Sequence, residues 1–257
     1  MNGYMNGGQA TPFTTAPWSV TPPLHLIYLD RYHQGDPLFQ KELAQRFART
    51  TPGEPPALLL HGAGEKLERT LEAEGLFPER DAGGVVQTET PRQAALAERA
   101  AREANQELVA LFTEEEVSVV GLQGADRGLL RCDAAGDVTA GALGWVEDLV
   151  KMRVVPVVSA LAEGPERAEE VAPDRAAVAL AEALSEAFDV KMCFLVTGER
   201  PGGPLALDAL PGDDGLPEPA VVRRVAEARA GGRVLLTDLD GLFAEGGPQG
   251  APVRAEE

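Results

Sequence analysis

Short apolar runs alternate with longer stretches in which apolar residues recur every three or four positions, and this alternation predicts strand and helix in turn. Leu24 to Leu29 reads as a strand. Asp36-Pro37 then opens a helix through Leu38, Leu43 and Phe47, with Asp36 at the N-cap and Pro37 at the first helical position, until Thr51-Pro52-Gly53 stops it. Ala57 to Leu60 is the next strand; it runs into His61-Gly62-Ala63-Gly64, after which Leu67, Leu71 and Leu76 fall at helical spacing. This β-α-β order implies parallel pairing through a crossover helix. Gly83 to Gln87 reads as a loop or short hairpin, and Thr90-Pro91 starts a long helix reaching Phe112. Val117 to Leu122 is a buried strand, Leu129–Cys132 and Val138-Thr139 form a hairpin, and Gly144 to Val150 is a short helix. Val154 to Val158 is strand-like, and its Pro156 predicts a bulge or an edge position. The second half repeats the alternation with helix Asp174 to Ala187, strand Met192 to Val196, a glycine-rich break at 198–203, a loop from Asp208 to Pro219, helix Ala220 to Ala230 and strand Val234 to Thr237. Such repetition predicts an α/β, three-layer sandwich around a mainly parallel central sheet. Residues 1–23 and 245–257 lack periodicity and read as flexible tails.

Composition narrows the function. The chain has 257 residues, enough for a substantial core, and 44% of them are hydrophobic. No apolar run approaches the roughly 20 residues that span a bilayer, and the N-terminal stretch lacks the basic start and apolar centre of a signal peptide, so a cytoplasmic protein is expected. A formal charge of −18 argues against nucleic-acid or anionic-membrane surfaces as partners. It would also suit a high-salt cytoplasm. Cys132 and Cys193 show no metal-ligand spacing and read as reduced thiols, so no metal site is expected. Lysine is confined to Lys41, Lys66, Lys151 and Lys191.

Candidate chemistry centres on Gly62, Ala63 and Gly64. Glycines at a strand-to-helix turn allow close approach of a ligand, and amides at such a turn favour a phosphate or carboxylate. The spacing is that of neither the P-loop nor the dinucleotide fingerprint, and a plain turn without a ligand is the competing reading. His61 is expected to pack beneath the loop.

The segments LLLHGAGE, NQELVALF (105–112), VVGLQGADRGLLRC (119–132), GWVEDLV (144–150), VVPVVSAL (154–161), APDRAAVALAEALSEAFDV (172–190) and AGGRVLLTD (230–238), in this order, resemble the amino acid kinase family, specifically its acetylglutamate kinase branch and the acetylglutamate or succinylglutamate kinases of the Bacteroidota type. The resemblance implies the carbamate kinase-like fold. It also implies an N-terminal lobe, 24–160, on the acyl-amino-acid side, a C-terminal lobe, 161–244, on the nucleotide side, phosphorylation of an acyl-glutamate by Mg-ATP, and a homodimer or larger homo-oligomer. Gly62 to Gly64 and Asn105 are then substrate contacts, and Asp174 is the retained acidic residue of the phosphotransfer site.

Several family positions are altered. Tyr28 stands where the first phosphate-binding lysine belongs, Asp30 and Arg31 where paired glycines belong, and Ala220 where the second lysine belongs. Val85 or Val86 replaces the arginine that grips the substrate carboxylate, and Glu170 and Ala172 replace two asparagines. Because phosphoryl transfer rests on preorganised positive charge, losing one such group costs about 3 kcal/mol of barrier. Three readings follow: a binding or regulatory pseudokinase; an active N-acyl-L-glutamate 5-phosphotransferase using ATP, with Lys66, Arg31 or Arg223 as a substitute cation; and an oligomeric scaffold.

Overall fold

The computed structural model describes residues 21–254 apart from 52, 78, 81–85, 89, 213–214 and 229–232. Most of the expected N-terminal tail, the glycine pair Gly83-Gly84 with Val85, and Ala230 therefore lie outside the described residues.

The strands are β1 (Pro23–Leu29), β2 (Ala57–His61), β3 (Val119–Gln123), β4 (Leu130–Cys132), β5 (Val138–Ala140), β6 (Val155–Ser159), β7 (Leu161–Glu163), β8 (Ala168–Glu170), β9 (Asp189–Leu195), β10 (Leu205–Ala206), β11 (Val234–Thr237) and β12 (Ala251–Arg254). The helices are α1 (Arg31–Gly35), α2 (Pro37–Ala48), α3 (Lys66–Ala73), α4 (Pro91–Glu114), α5 (Gly144–Lys151), α6 (Pro173–Leu184), α7 (Pro219–Ala228) and α8 (Leu239–Leu242). Asp36 caps α2 as expected, accepting from the amides of Leu38 and Phe39. Thr90 opens α4 with a capping box completed by Gln93.

Eight strands form one sheet in the order β10-β12-β11-β9-β1-β2-β6-β3. β9, β1, β2, β6, β3 and β11 run parallel, and β12 lies antiparallel to β11. Alternation along β1 divides the core. Leu24, Leu26 and Tyr28 face a cluster that includes Leu180 and Leu184 of α6 and Val222 and Val225 of α7. Ile27 and Leu29 face Leu43 and Phe47 of α2 and Leu108 and Phe112 of α4. Helices thus cover both faces, giving three layers. A second sheet, β5-β4-β7-β8, carries the excursions beyond β3 and β6.

Several expectations are corrected. The described part of the expected C-terminal tail, residues 245–254, is not free: β12 inserts between β10 and β11, with Ala251 and Val253 buried. The N-terminal tail also stops short of Pro23, since Pro23 begins β1 and the Pro22 carbonyl accepts from the Asp189 amide. Pro156 lies on an interior strand without a bulge. Val155 donates towards β3 through the Ser118 carbonyl, so the position after it faces β2, and β2 pairs with β6 only from Val157 onward. The missing N–H therefore falls just before the ladder begins. The short helix α1, capped by Asp30, joins β1 to α2. The two proposed lobes share one sheet, since β1 of the first pairs directly with β9 of the second.

Candidate active site

β1, β2, β6, β3, β9 and β11 all end at one edge of the large sheet. Chain order runs outward from β1 through β2 on one side and returns to β9 on the other, which makes the carboxyl ends of β1 and β9 the switch point where ligands of open α/β sheets bind. Tyr28 is the penultimate residue of β1. Its side chain points to the α7 face, where its hydroxyl donates to Glu218 Oε2 at 2.6 Å and its ring lies 5.7 Å from that of Phe194. Glu218 also meets Arg31, Nε to Oε1 3.7 Å. Burial, with Asp30 beside it, pushes the Glu218 carboxyl up against the opposing pull of the Tyr28 hydrogen bond. Burial and then the Glu218 charge raise the Tyr28 hydroxyl well above its ordinary value.

Asp30 is buried and turned to the start of α1. Its Oδ1 accepts from the His33 amide at 3.0 Å and its Oδ2 meets His33 Nδ1 at 2.6 Å. The carboxylate thereby supplies a helix cap, and the electrostatic effect on Tyr28 and Glu218 persists.

The glycine loop is held from behind and filled from the front. His61 ends β2 fully buried and faces α4. Its Nδ1 lies 2.7 Å from the Gly62 carbonyl and its Nε2 lies 3.0 Å from Asn105 Nδ2. A carbonyl only accepts, so Nδ1 carries the proton and Nε2 accepts from Asn105. Burial lowers the His61 pKa to about 4, which keeps this ring neutral. Asn105 is 2% exposed and donates also to the Val157 carbonyl at 2.8 Å. It braces β2 and β6 beneath the loop. In front, Glu170 Oε1 accepts from the Ala63 amide at 2.6 Å. A Cβ added to Gly62 would stand 3.1 Å from the same oxygen, so glycine is what lets the carboxylate approach.

Two further groups complete the mouth. Arg80 pairs across a β-bridge with Val86. Its guanidinium donates to Glu68 at 2.9 Å and to the Gly64 carbonyl at 3.2 Å. Burial works against its charge, but Glu68, Glu170 and Glu218 outweigh it and raise the pKa. Asp174, in the first turn of α6, is gripped by Arg224 through Nε–Oδ2 at 2.8 Å and Nη2–Oδ1 at 3.3 Å. Arg224 lies one helical turn beyond Ala220, which is itself exposed, while Arg223 is turned outward. Lys66 ion-pairs with Glu103 and Glu107 on α4, and with Ala63 and Gly64 it lines a second cavity. The spacing 220 to 224 was the available signal for Arg224. Arg80 carried none, because its place depends on the bridge to Val86.

A cavity of about 920 Å³ opens beside this mouth, walled by Glu170, Ala172, Asp174 and Arg224 on one side and by the two small hairpins on the other. Cys132 lines it, its thiol raised by burial and then by Glu169. Cys193 is fully buried and pushed to about 12, an inert core thiol. Among the described residues no group of three or more His, Cys, Asp or Glu is arranged to hold a metal ion. No described helix is long and apolar enough to cross a membrane.

A three-layer α/β protein with a polar mouth at the switch point of a mainly parallel sheet belongs to the class that takes small ligands at the carboxyl ends of its strands. Within that class, the chain belongs to the amino acid kinase family, whose model matches residues 33–197. It is similar to the acetylglutamate kinase of Acidobacterium capsulatum, 33% identical over 147 residues that cover 51% of this chain and 56% of that protein. It is also similar to that of Deinococcus radiodurans, 31% identical over 163 residues, 59% of this chain and 63% of the relative. The chain thus spans somewhat over half the length of these curated relatives. Among solved structures, smu.665 from Streptococcus mutans superposes with a TM-score of 0.62 at 15% identity, covering 91% of this chain and 99% of the other. N-acetylglutamate synthase from Neisseria gonorrhoeae, complexed with coenzyme A and N-acetyl-glutamate, gives 0.64 at 15% identity, with 91% and 60% covered. An isopentenyl phosphate kinase gives 0.58 at 13% identity, with 91% and 100% covered. At such identities these likenesses establish the fold.

Proposed function

We propose that this chain is an acetylglutamate kinase-like protein impaired in phosphoryl transfer, which binds an acylated amino acid such as N-acetyl- or N-succinyl-glutamate and acts as a binding or regulatory component. The Tyr28–Glu218 hydrogen bond carries this reading. A terminal phosphate of ATP needs cations around it, and the mouth instead joins the neutral hydroxyl at the first lysine position to a carboxylate, Glu218, two residues before the second. The residues present do not fit Mg-ATP: Asp30, Glu170 and Glu218 all act electrostatically on Tyr28, and bringing polyphosphate among them adds repulsion.

A second reading, an active acyl-glutamate kinase with relocated cations, draws support from Arg31, Arg80 and Arg224. Each of these guanidinia is matched to a carboxylate, Glu218, Glu68 and Asp174 respectively, so none adds net positive charge. Assembly into a homodimer through the central sheet belongs to the same proposal.

Calorimetric titration with Mg-ATP and with N-acetylglutamate, followed by a coupled ADP-release assay, separates the readings. Amino-acid binding without nucleotide binding is the expected result. Turnover above about 1 per second overturns the proposal in favour of the active kinase. Binding of neither ligand favours an oligomeric scaffold.

A further inference from the structure

We propose that Glu170 is an internal stand-in for a ligand carboxylate, and that the glycine loop is a carboxylate site held shut by its own chain until a ligand displaces that side chain. The inference rests on the binding role argued above and adds to it the chemistry of the group recognised and the way the site is regulated.

The observations come from three elements. The loop presents the Ala63 amide, and Glu170 Oε1 accepts from it at 2.6 Å, a close, charge-assisted contact. Gly62 leaves room for the oxygen to sit against the backbone. Arg80, anchored to the Gly64 carbonyl, holds its guanidinium close enough to Glu170 for that carboxylate to raise its pKa. A backbone amide with a guanidinium beside it is how a protein receives a carboxylate from outside. Here the carboxylate comes from β8, 107 residues further along the chain. Glu170 is only half-buried and lines the 920 Å³ cavity, so an open space lies directly behind the plug into which the side chain can swing. The loop itself is rigid, because His61 and Asn105 fix the Gly62 carbonyl from below. Exchange of one carboxylate for another therefore asks for a side-chain rotation at Glu170 and no rebuilding of the backbone. It also gives the loop a bias for carboxylate over phosphate: the pairing accommodates one planar anion of single charge, and Glu218 stands close enough to Arg80 to repel a dianion.

The test compares the wild-type chain with Glu170→Ala, Glu170→Gln and Glu166→Ala. Glu166 lies in the same hairpin and lines the same cavity, so its removal changes net charge equally without touching the loop. Titration uses N-acetyl-L-glutamate and, separately, inorganic phosphate. The expected result is a gain of about tenfold or more in N-acetyl-L-glutamate affinity for Glu170→Ala, a smaller gain for Glu170→Gln, little change for Glu166→Ala and weaker binding of phosphate throughout. An equal gain in Glu166→Ala overturns the plug in favour of bulk charge, and no gain in Glu170→Ala overturns it outright. Should Glu170→Ala fail to fold, amide hydrogen exchange decides: Ala63 is protected in the wild type and is expected to exchange faster in Glu170→Gln, and unchanged protection overturns the proposal. Kinase turnover in the wild-type chain would remove the pseudokinase reading while leaving these affinity ratios to stand or fall separately.

Discussion

At the scale of single residues, the site is governed by which polar groups are buried with a partner and which are not. Tyr28 donates the short hydrogen bond to Glu218, so Tyr28→Phe leaves that poorly solvated carboxyl with its longer pairing to Arg31, and urea unfolding is expected to show a loss of about 1–2 kcal/mol. His61 and His25 are buried neutral, each with a pKa near 4 where 6.5 is ordinary; burial is the main cause in both, joined at His25 by the Lys191 charge. The unfolded chain takes up these protons first as pH falls. Their contribution is therefore complete above about pH 6.5 and is lost progressively down to about pH 4, by roughly 3 kcal/mol per ring. His25 Nε2 has no hydrogen-bond partner among the described residues, so His25→Leu is expected to flatten about half of that fall without lowering stability at pH 7.5, as thermal melts across the pH range would report. Residue types were readable in the sequence at these positions. The directions in which Asn105 and Lys66 point were not, because each is set by the helix face that meets the sheet.

At the scale of elements, local signals served well where a segment's own pattern decides its structure. The caps at Asp36 and Thr90 and the apolar periodicity of α4 and α6 each lie within a few residues of what they control. They failed for β12. The stretch Ala251–Arg254 follows a Gly-Pro-rich run and contains Pro252, and it becomes a strand only because β11 offers it an edge. Deleting residues 251–257 removes the buried Ala251 and Val253 and bares one side of β11. The melting temperature is expected to fall by at least about 4 °C, with more aggregation on heating, checked by calorimetry and light scattering.

At the scale of the whole molecule, the three acidic groups at the mouth come from distant parts of the chain, Asp30 just after β1, Glu170 on β8 of the second sheet and Glu218 just before α7, and act together. Consequently Tyr28→Lys by itself brings an ammonium against Glu218 and forms an internal ion pair in place of a phosphate site. Mg-ATP affinity, measured by calorimetry, is expected to stay near wild type in Tyr28→Lys and to rise only when Glu218→Gln is added. A single-variant gain equal to that of the pair would contradict this coupling. Asp30→Gly is a poor companion change, since it removes the α1 side-chain cap, at a cost of about a few tenths of a kcal/mol with glycine in its place, and leaves the buried His33 Nδ1 without its carboxylate partner.

The amino-acid order by itself determined the alternation of strands and helices, the mainly parallel sheet and the position of the glycine turn, since all of these are written in neighbouring residues. Only the tertiary structure decided which distant groups meet at the mouth. Tyr28 and Glu218 are 190 residues apart, Ala63 and Glu170 are 107 apart, and Asp174 and Arg224 are 50 apart. Whether two such groups meet depends on which strands become neighbours and which faces they turn inward, and no local pattern carries that information.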